Sequence, residues 1–185
     1  MESLQNHFLI ATPSMNDPLF RRSVTYICEH NEDGAMGLII NQPAELTVNS
    51  LLDKLEIVYP DSADSLKGPV YQGGPVGQER GFVIHPPQQN WRSSLKLSDE
   101  IMVTTSRDIL EALGSSAAPL QFLLTLGYAG WEAGQLEQEL AENSWLAIPA
   151  DPEILFNTPT NQRWEKATEQ LGFDIWKLGP DVGHA

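Results

Sequence analysis

Residues 126–145 read Leu126-Gly-Tyr-Ala-Gly-Trp-Glu-Ala-Gly-Gln-Leu-Glu-Gln-Glu-Leu-Ala-Glu-Asn-Ser-Trp145, and the apolar run Leu120-Gln-Phe-Leu-Leu-Thr-Leu126 leads straight into them. That run predicts a central, buried β-strand. Gly127, Gly130 and Gly134 alternate with Tyr128 and Trp131, so a backbone free to take unusual dihedrals carries two large rings. This composition predicts a loop that places side chains, with packing of its own aromatics against the core as the plainer role. Gln135 to Asn143 then predicts a short amphipathic helix, with Leu136 and Leu140 one turn apart and Glu137, Glu139 and Glu142 facing mostly outward. The stretch joins a central strand to an acidic helix.

Upstream, Ser23–Glu29 and Ala35–Asn41 flank the turn sequence Asn31-Glu32-Asp33-Gly34 and predict a β-hairpin. Gly37 in the return strand points to a bulge or a close approach by another backbone. Before the hairpin, Phe8–Ala11 is a short apolar segment stopped by Thr12-Pro13, and Asn16-Asp17-Pro18 makes a turn. Thr47 predicts the N-cap of a helix over Val48–Leu55, with Leu51, Leu52 and Leu55 on one face. Residues 61–67 are polar and predict an exposed loop. Val70–Gln72 enters Gly73-Gly74-Pro75-Val76-Gly77, after which Gly81–His85 reads as a strand ended by Pro86-Pro87. Ile101–Thr104 is a further strand. Thr105 and Asp108 have the spacing of a capping box for a helix over Arg107–Leu113 that stops at Gly114.

Downstream, Trp145–Ile148 reads as a strand halted by Pro149, and Asp151-Pro152 opens a brief helix reaching Phe156. Thr158-Pro159 repeats that signal before a helix over 161–171, in which Trp164, Ala167 and Leu171 share a face and Gly172 ends the helix. The tail 179–185 reads as irregular. No internal repeat or heptad is present.

At 185 residues, 41% hydrophobic and 19% charged, the chain reads as a single globular domain over 1–185. No apolar run approaches the roughly 20 residues that span a bilayer, and the N-terminus lacks a signal-peptide pattern, so a cytoplasmic location is expected. The lone Cys28 agrees with a reducing compartment. The net charge is −14, and between Arg107 and Arg163 there are eight acids and no Lys or Arg. Direct nucleic-acid binding is not expected, because a basic face is needed to release phosphate counterions and the one basic pair is Arg21 with Arg22.

Few residues could carry chemistry. His7, His30, His85 and His184 show no metal-ligand spacing, so no metal or cofactor is expected. His30 and His85 end two strands and could meet, although a histidine there also serves as a plain structural or surface residue. Cys28 shares a strand face with Val24 and Tyr26, which suits a buried thiol; a nucleophile paired with His30 or His85 stays open beside it. Ser106 lies outside any nucleophile elbow and suits helix capping. The glycine run 73–77 lacks the Lys-Ser/Thr ending of a phosphate loop and is followed by a strand. Beside it, Arg80 has two possible roles: a bidentate clamp for carboxylate or phosphate, or an ion pair with an acid of the 131–142 segment.

Taken in order, Ala11-Thr12-Pro13, Asp17-Pro18-Leu19-Phe20, Cys28-Glu29-His30-Asn31, Gly34-Ala35-Met36-Gly37, Asn41-Gln42-Pro43, Gly73-Gly74-Pro75-Val76, Arg80–His85, Thr104–Asp108, Gly127–Trp131, Gly134–Glu137 and Gly183-His184-Ala185 span essentially the whole chain. This set closely resembles the AlgH/YqgE family of bacterial proteins. The resemblance implies an α+β fold in which a bifurcated, mostly antiparallel sheet closes into a pseudo-barrel flanked by helices. It implies no catalytic residues, because the family is uncharacterised and has none in common; one branch carries the label of a transcriptional regulator of polysaccharide production.

Two functional expectations follow. The first is a non-catalytic, regulatory binding module for a small anionic ligand or a protein partner. Its cleft would lie between the Gly73–His85 unit and the Gly127–Glu137 loop and would use Arg80, His85, Arg107, Tyr128 and Trp131. The second is an enzyme in which His85 works with Glu132 or Glu137, or with Cys28, as general base and acid.

Overall fold

A computed structural model describes residues 2–61 and 63–178. The tail 179–185, with the Gly183-His184-Ala185 motif, lies outside the described residues. The chain folds as α+β around a mostly antiparallel, curled sheet that forms a half-barrel with helices packed on it.

The predicted hairpin is present as β2 (Val24–Asn31) and β3 (Gly34–Ile39), turned through Glu32-Asp33, with the Asp33 amide donating to the Asn31 side chain at 2.8 Å. Its register shifts between Ile27 and Glu29, so the bulge falls at Cys28, opposite Gly37. A Cβ at Gly37 would stand 2.8 Å from the Thr25 methyl and 3.0 Å from Tyr26 O, the latter being the backbone approach expected there. β1 (His7–Ala11) pairs with β2 on one side and with β10 (Trp145–Pro149) on the other.

At the centre runs β9 (Leu123–Glu132), ten residues long. Here the sequence expectation needs correction in two places. Residues 120–122 precede the strand, with Leu120 fully exposed, and residues 127–132 are strand instead of loop. The second half forms a strand because β3 supplies its ladder, from Gly37 opposite Ala129 to Gly34 opposite Glu132. The first half of β9 has different neighbours: β5 (Pro69–Gln72) runs parallel to it, and β6 (Val76–His85) antiparallel. The sheet therefore forks beside Gly127, where β3 takes over from β5 as the flanking strand.

Glycine makes the fork possible. Gly127 has φ +80, and Gly73 and Gly74 lie directly against its neighbours, with the Gly73 amide donating to Leu126 O at 2.8 Å. The glycine run 73–77 thus holds backbone where a phosphate cradle would hold an anion.

β4 (Pro43–Thr47) extends β5, while β8 (Met102–Thr104) and β7 (Ser94–Lys96) continue the sheet beyond β6. Neither β4 nor β7 is evident in the sequence, since both are short, polar strands without a clear alternation.

Helix α1 (Val48–Lys54) is capped by Thr47, whose hydroxyl accepts from the Ser50 amide. α2 (Arg107–Ala112) starts after Ser106, not from a Thr105–Asp108 box. The Asp108 carboxylate instead accepts from the Ile109 and Arg92 amides and the Ser106 hydroxyl. α3 (Gln135–Ala141) ends two residues earlier than expected. α4 (Pro152–Phe156) is capped by Asp151, and α5 (Arg163–Glu169) follows a 3-10 turn over Thr160–Gln162. Residues 64–67, expected as loop, form a 3-10 turn that buries Leu66.

Three apolar clusters result. One lies between the sheet and α4–α5, one under α1 and α2, and one under α3. Among the described residues, no helix is long and apolar enough to cross a membrane.

Candidate functional site

The residues singled out in the sequence do not converge on one cleft. Arg80 and Tyr128 are brought together: the guanidinium lies 5.6 Å from the Tyr128 ring centre and 5.5 Å from that of Phe82, and those two rings meet edge to face at 6.1 Å. Arg80 makes no ion pair with the 131–142 acids; the rings hold it. Arg107 donates to Leu55 O at 2.7 Å and so closes the C-terminal end of α1. Trp131, assigned in the sequence to the ligand cleft or to core packing, is 7% exposed, because its indole packs edge-on to Trp145 at 6.1 Å and donates to Glu139 at 3.1 Å. Glu139 and Glu137 accordingly turn toward the sheet instead of outward.

His85 is completely buried between β6 and β8. Its Nδ1 donates to Pro86 O at 2.7 Å, since a carbonyl only accepts. Nε2 then accepts from the Thr104 hydroxyl at 2.6 Å, and that hydroxyl bonds Ser94 at 2.6 Å. Both ring nitrogens are thus committed to neutral partners, and Glu137 bonds a different histidine.

Burial holds the His85 pKa below 6.5, opposed by the Pro86 hydrogen bond. Above pH 6.5 the ring is neutral in both folded and unfolded chains. As pH falls below 6.5, the unfolded chain binds a proton that the folded ring resists, so stability is lost toward acid. Urea titrations between pH 7 and pH 5 are expected to show this loss, and His85→Asn should reduce the slope by about one proton. An unchanged slope would place the titration elsewhere.

His30 sits at the end of β2. Its Nδ1 accepts from the Leu4 amide at 2.8 Å, which leaves Nε2–H to donate to Glu137 at 2.6 Å. Cys28 is buried with Val24 and Tyr26, as its strand face predicts, and its thiol contacts Tyr26 O at 3.8 Å. Burial, with Glu29 adding to it, pushes that thiol up to about 12.

A different residue has the environment of a binding site. Arg163, the first residue of α5, is 5% exposed. Its Nε donates to Thr158 O at 3.1 Å, its Nη1 donates to Ile40 O, and its guanidinium lies 5.0 Å from the centre of the Tyr71 ring. Tyr71 is in turn fixed by a 2.6 Å hydrogen bond to Thr160. Among the described residues, no carboxylate pairs with this cation; other cations without an acidic partner, such as Arg21, Arg80 and Lys177, are exposed, whereas Arg163 is buried. A buried charge held only by neutral carbonyls and a ring keeps much of its desolvation penalty, several kcal/mol in typical interiors.

Arg163 lines a cavity of about 300 Å³. The starts of α1, β5 and β9 and the end of α4 line it on a side open to solvent: Phe122 and Phe156 give it apolar surface, Ser65 and Gln121 polar surface, and Val48, Leu123, Leu124 and Leu155 lie buried behind them. Leu120 stands exposed at the lining, and Gln121 ties this segment to α4 through Phe156 O at 3.1 Å. Sequence reading misses Arg163. The available signal is its sign: a cation in the first turn of a helix opposes the macrodipole, so helix stability alone does not explain it.

The fold and this cavity define a class: an α+β half-barrel built on a forked sheet, with one buried cation beside an open cleft of mixed apolar and polar lining. The AlgH-like family matches residues 8–176. The UPF0301 protein of Idiomarina loihiensis is 81% identical over 185 residues, covering 100% of both chains, and that of Pseudoalteromonas translucida is 60% identical over 185 residues with the same coverage. The solution structure of the AlgH protein from Pseudomonas aeruginosa superposes with a TM-score of 0.79 at 46% identity, covering 99% of this chain and 96% of that one. A crystal structure from Corynebacterium diphtheriae, at TM-score 0.73 and 22% identity, covers 92% of this chain and 87% of its own and shares the fold. The chain belongs to the AlgH-like family.

Proposed function

We propose that this chain is a non-catalytic binding module of the cytoplasm that takes a small anion at Arg163 and acts in regulation. The observation that carries this reading is the buried guanidinium at a 300 Å³ cavity with no carboxylate beside it. An anionic ligand supplies the missing counter-charge. Support for a non-catalytic role comes from His30 and His85, whose ring nitrogens are all engaged, and from Cys28, whose thiol is held protonated. Arg80, exposed over Tyr128 and Phe82, is the part of the sequence-derived set that stays available to a protein partner.

Thermal unfolding of the wild type and of Arg163→Gln in acetate, hexanoate, phosphate and citrate tests this reading. At a hundredfold excess over Kd, a bound anion stabilises by about 2.7 kcal/mol, which is about 5–10 °C in Tm for a chain of this length. The wild type is expected to show that rise with at least one anion, and Arg163→Gln to lack it. A wild type indifferent to every anion would overturn the reading, as would an equal rise in the variant.

A further inference from the structure

We infer that the anion accepted at Arg163 is a monocarboxylate with an apolar body; this rests on the anion-binding reading above and narrows it to a chemical class. Charge sets the first limit. Arg163 is the one charged residue among those lining the cavity, so a single negative charge balances it. A phosphate dianion or a dicarboxylate would bring a second charge against Val48, Leu124, Leu155 and Phe156, with no cation to meet it. The chain's net charge of −14 makes that excess more unfavourable.

Geometry sets the second limit. A guanidinium has five N–H donors, of which Thr158 O and Ile40 O take two. The remaining three lie in one plane, which matches a flat carboxylate better than a tetrahedral oxyanion. The Tyr71 ring, 5.0 Å from the guanidinium carbon, keeps that plane in place.

Size and wall chemistry set the third. The cleft has a volume of about 300 Å³, room for about ten groups of roughly 30 Å³ each within its walls, and a longer tail runs out through its open side. After the carboxylate head is seated, the rest of the ligand meets Leu120, Phe122 and Phe156, the exposed or half-buried apolar side chains of the lining. An aliphatic chain or a single aromatic ring suits those side chains, while Ser65 and Gln121 leave some polar surface at the edge of the cleft.

Leu120 provides a control independent of Arg163. It lines the cavity yet is 100% exposed, so substitution there should leave folding unchanged. Leu120→Glu places a negative charge at the rim and Leu120→Lys a positive one.

Isothermal titration of the intact protein with sodium butyrate, hexanoate, octanoate, adipate and phosphate tests the inference. Affinity is expected to rise about fourfold per added methylene from butyrate to hexanoate, and to level off once the tail reaches solvent at the open side. Adipate, with the same number of carbons as hexanoate and a second charge, should bind at least tenfold more weakly, and phosphate more weakly still. Leu120→Glu should weaken hexanoate and Leu120→Lys tighten it, and these serve even if Arg163→Gln fails to fold. Phosphate or adipate binding as tightly as hexanoate, with the same dependence on Leu120 or Arg163, would overturn the monocarboxylate class and leave the anion site standing. Absence of binding by all five anions would overturn both readings. Hexanoate affinity unmoved in Leu120→Glu, Leu120→Lys and a folded Arg163→Gln would also overturn both.

Discussion

Gly74→Ala is expected to abolish the fold, or to lower its stability by more than about 3 kcal/mol, because among the described glycines its added methyl meets backbone at the shortest distance. A Cβ at that position would stand 2.0 Å from the Tyr128 carbonyl carbon, 2.2 Å from its oxygen and 2.3 Å from the Ala129 nitrogen. All three are backbone atoms of β9 at the fork, so no side-chain rotation relieves the overlap. Relief requires moving the start of β6 away from β9, which opens the pairing of Val76 with Tyr128. Gly68→Ala is the control: its added methyl meets nothing within 4 Å and its φ of −72 suits any residue, so a change within about 0.5 kcal/mol is expected. Urea denaturation followed by tryptophan fluorescence measures both. A Gly74→Ala protein as stable as the wild type would mean that the fork does not hold the strands this closely.

Glu139→Leu is expected to cost about 2–4 kcal/mol, while Glu139→Gln costs less than about 1 kcal/mol. One oxygen of Glu139 accepts from two indoles, Trp131 Nε1 at 3.1 Å and Trp145 Nε1 at 2.9 Å, and both rings are almost wholly buried. Leucine fills a similar volume and accepts nothing, so it strands two donors in the cluster under α3, each worth about 1–3 kcal/mol when unsatisfied. Glutamine keeps a carbonyl oxygen in the same place. Stability and the tryptophan emission maximum should therefore move together in the leucine variant and hardly at all in the glutamine variant. Equal losses in the two would assign the effect to the charge instead of the shared acceptor.

Much of the fold is legible where its cause is local. Thr47 and Asp151 cap helices through hydroxyl or carboxylate contacts within three residues, and the Asn31–Gly34 turn carries its own hydrogen bond, so reading them requires no knowledge of the rest of the chain. The 127–132 segment misleads for the opposite reason. Glycine there suggests a loop, yet it serves the approach of Gly73 and Gly74, more than fifty residues earlier, and of β3, which completes the ladder. β4 and β7 form only because neighbouring strands present free edges to them.

The site divides along the same line. The face shared by Val24, Tyr26 and Cys28 follows from strand alternation and is found buried as expected. Arg163 meets Ile40 O across 123 residues, and no spacing rule reaches that far. Arg80 and Arg107 attract attention in the sequence by their neighbours, but one stacks on rings and the other closes a helix. The informative cation is the one the fold hides.

The most direct measurement of the central claim is an NMR titration of the wild-type protein with hexanoate, following arginine Nε–H and leucine methyl resonances. Binding in the cleft gives saturable shifts at Arg163 together with Leu123, Leu124 and Leu155, which are among the residues lining it. Shifts confined to the exposed guanidinium groups of Arg21 and Arg80, with Arg163 and the three leucines unmoved, would contradict it.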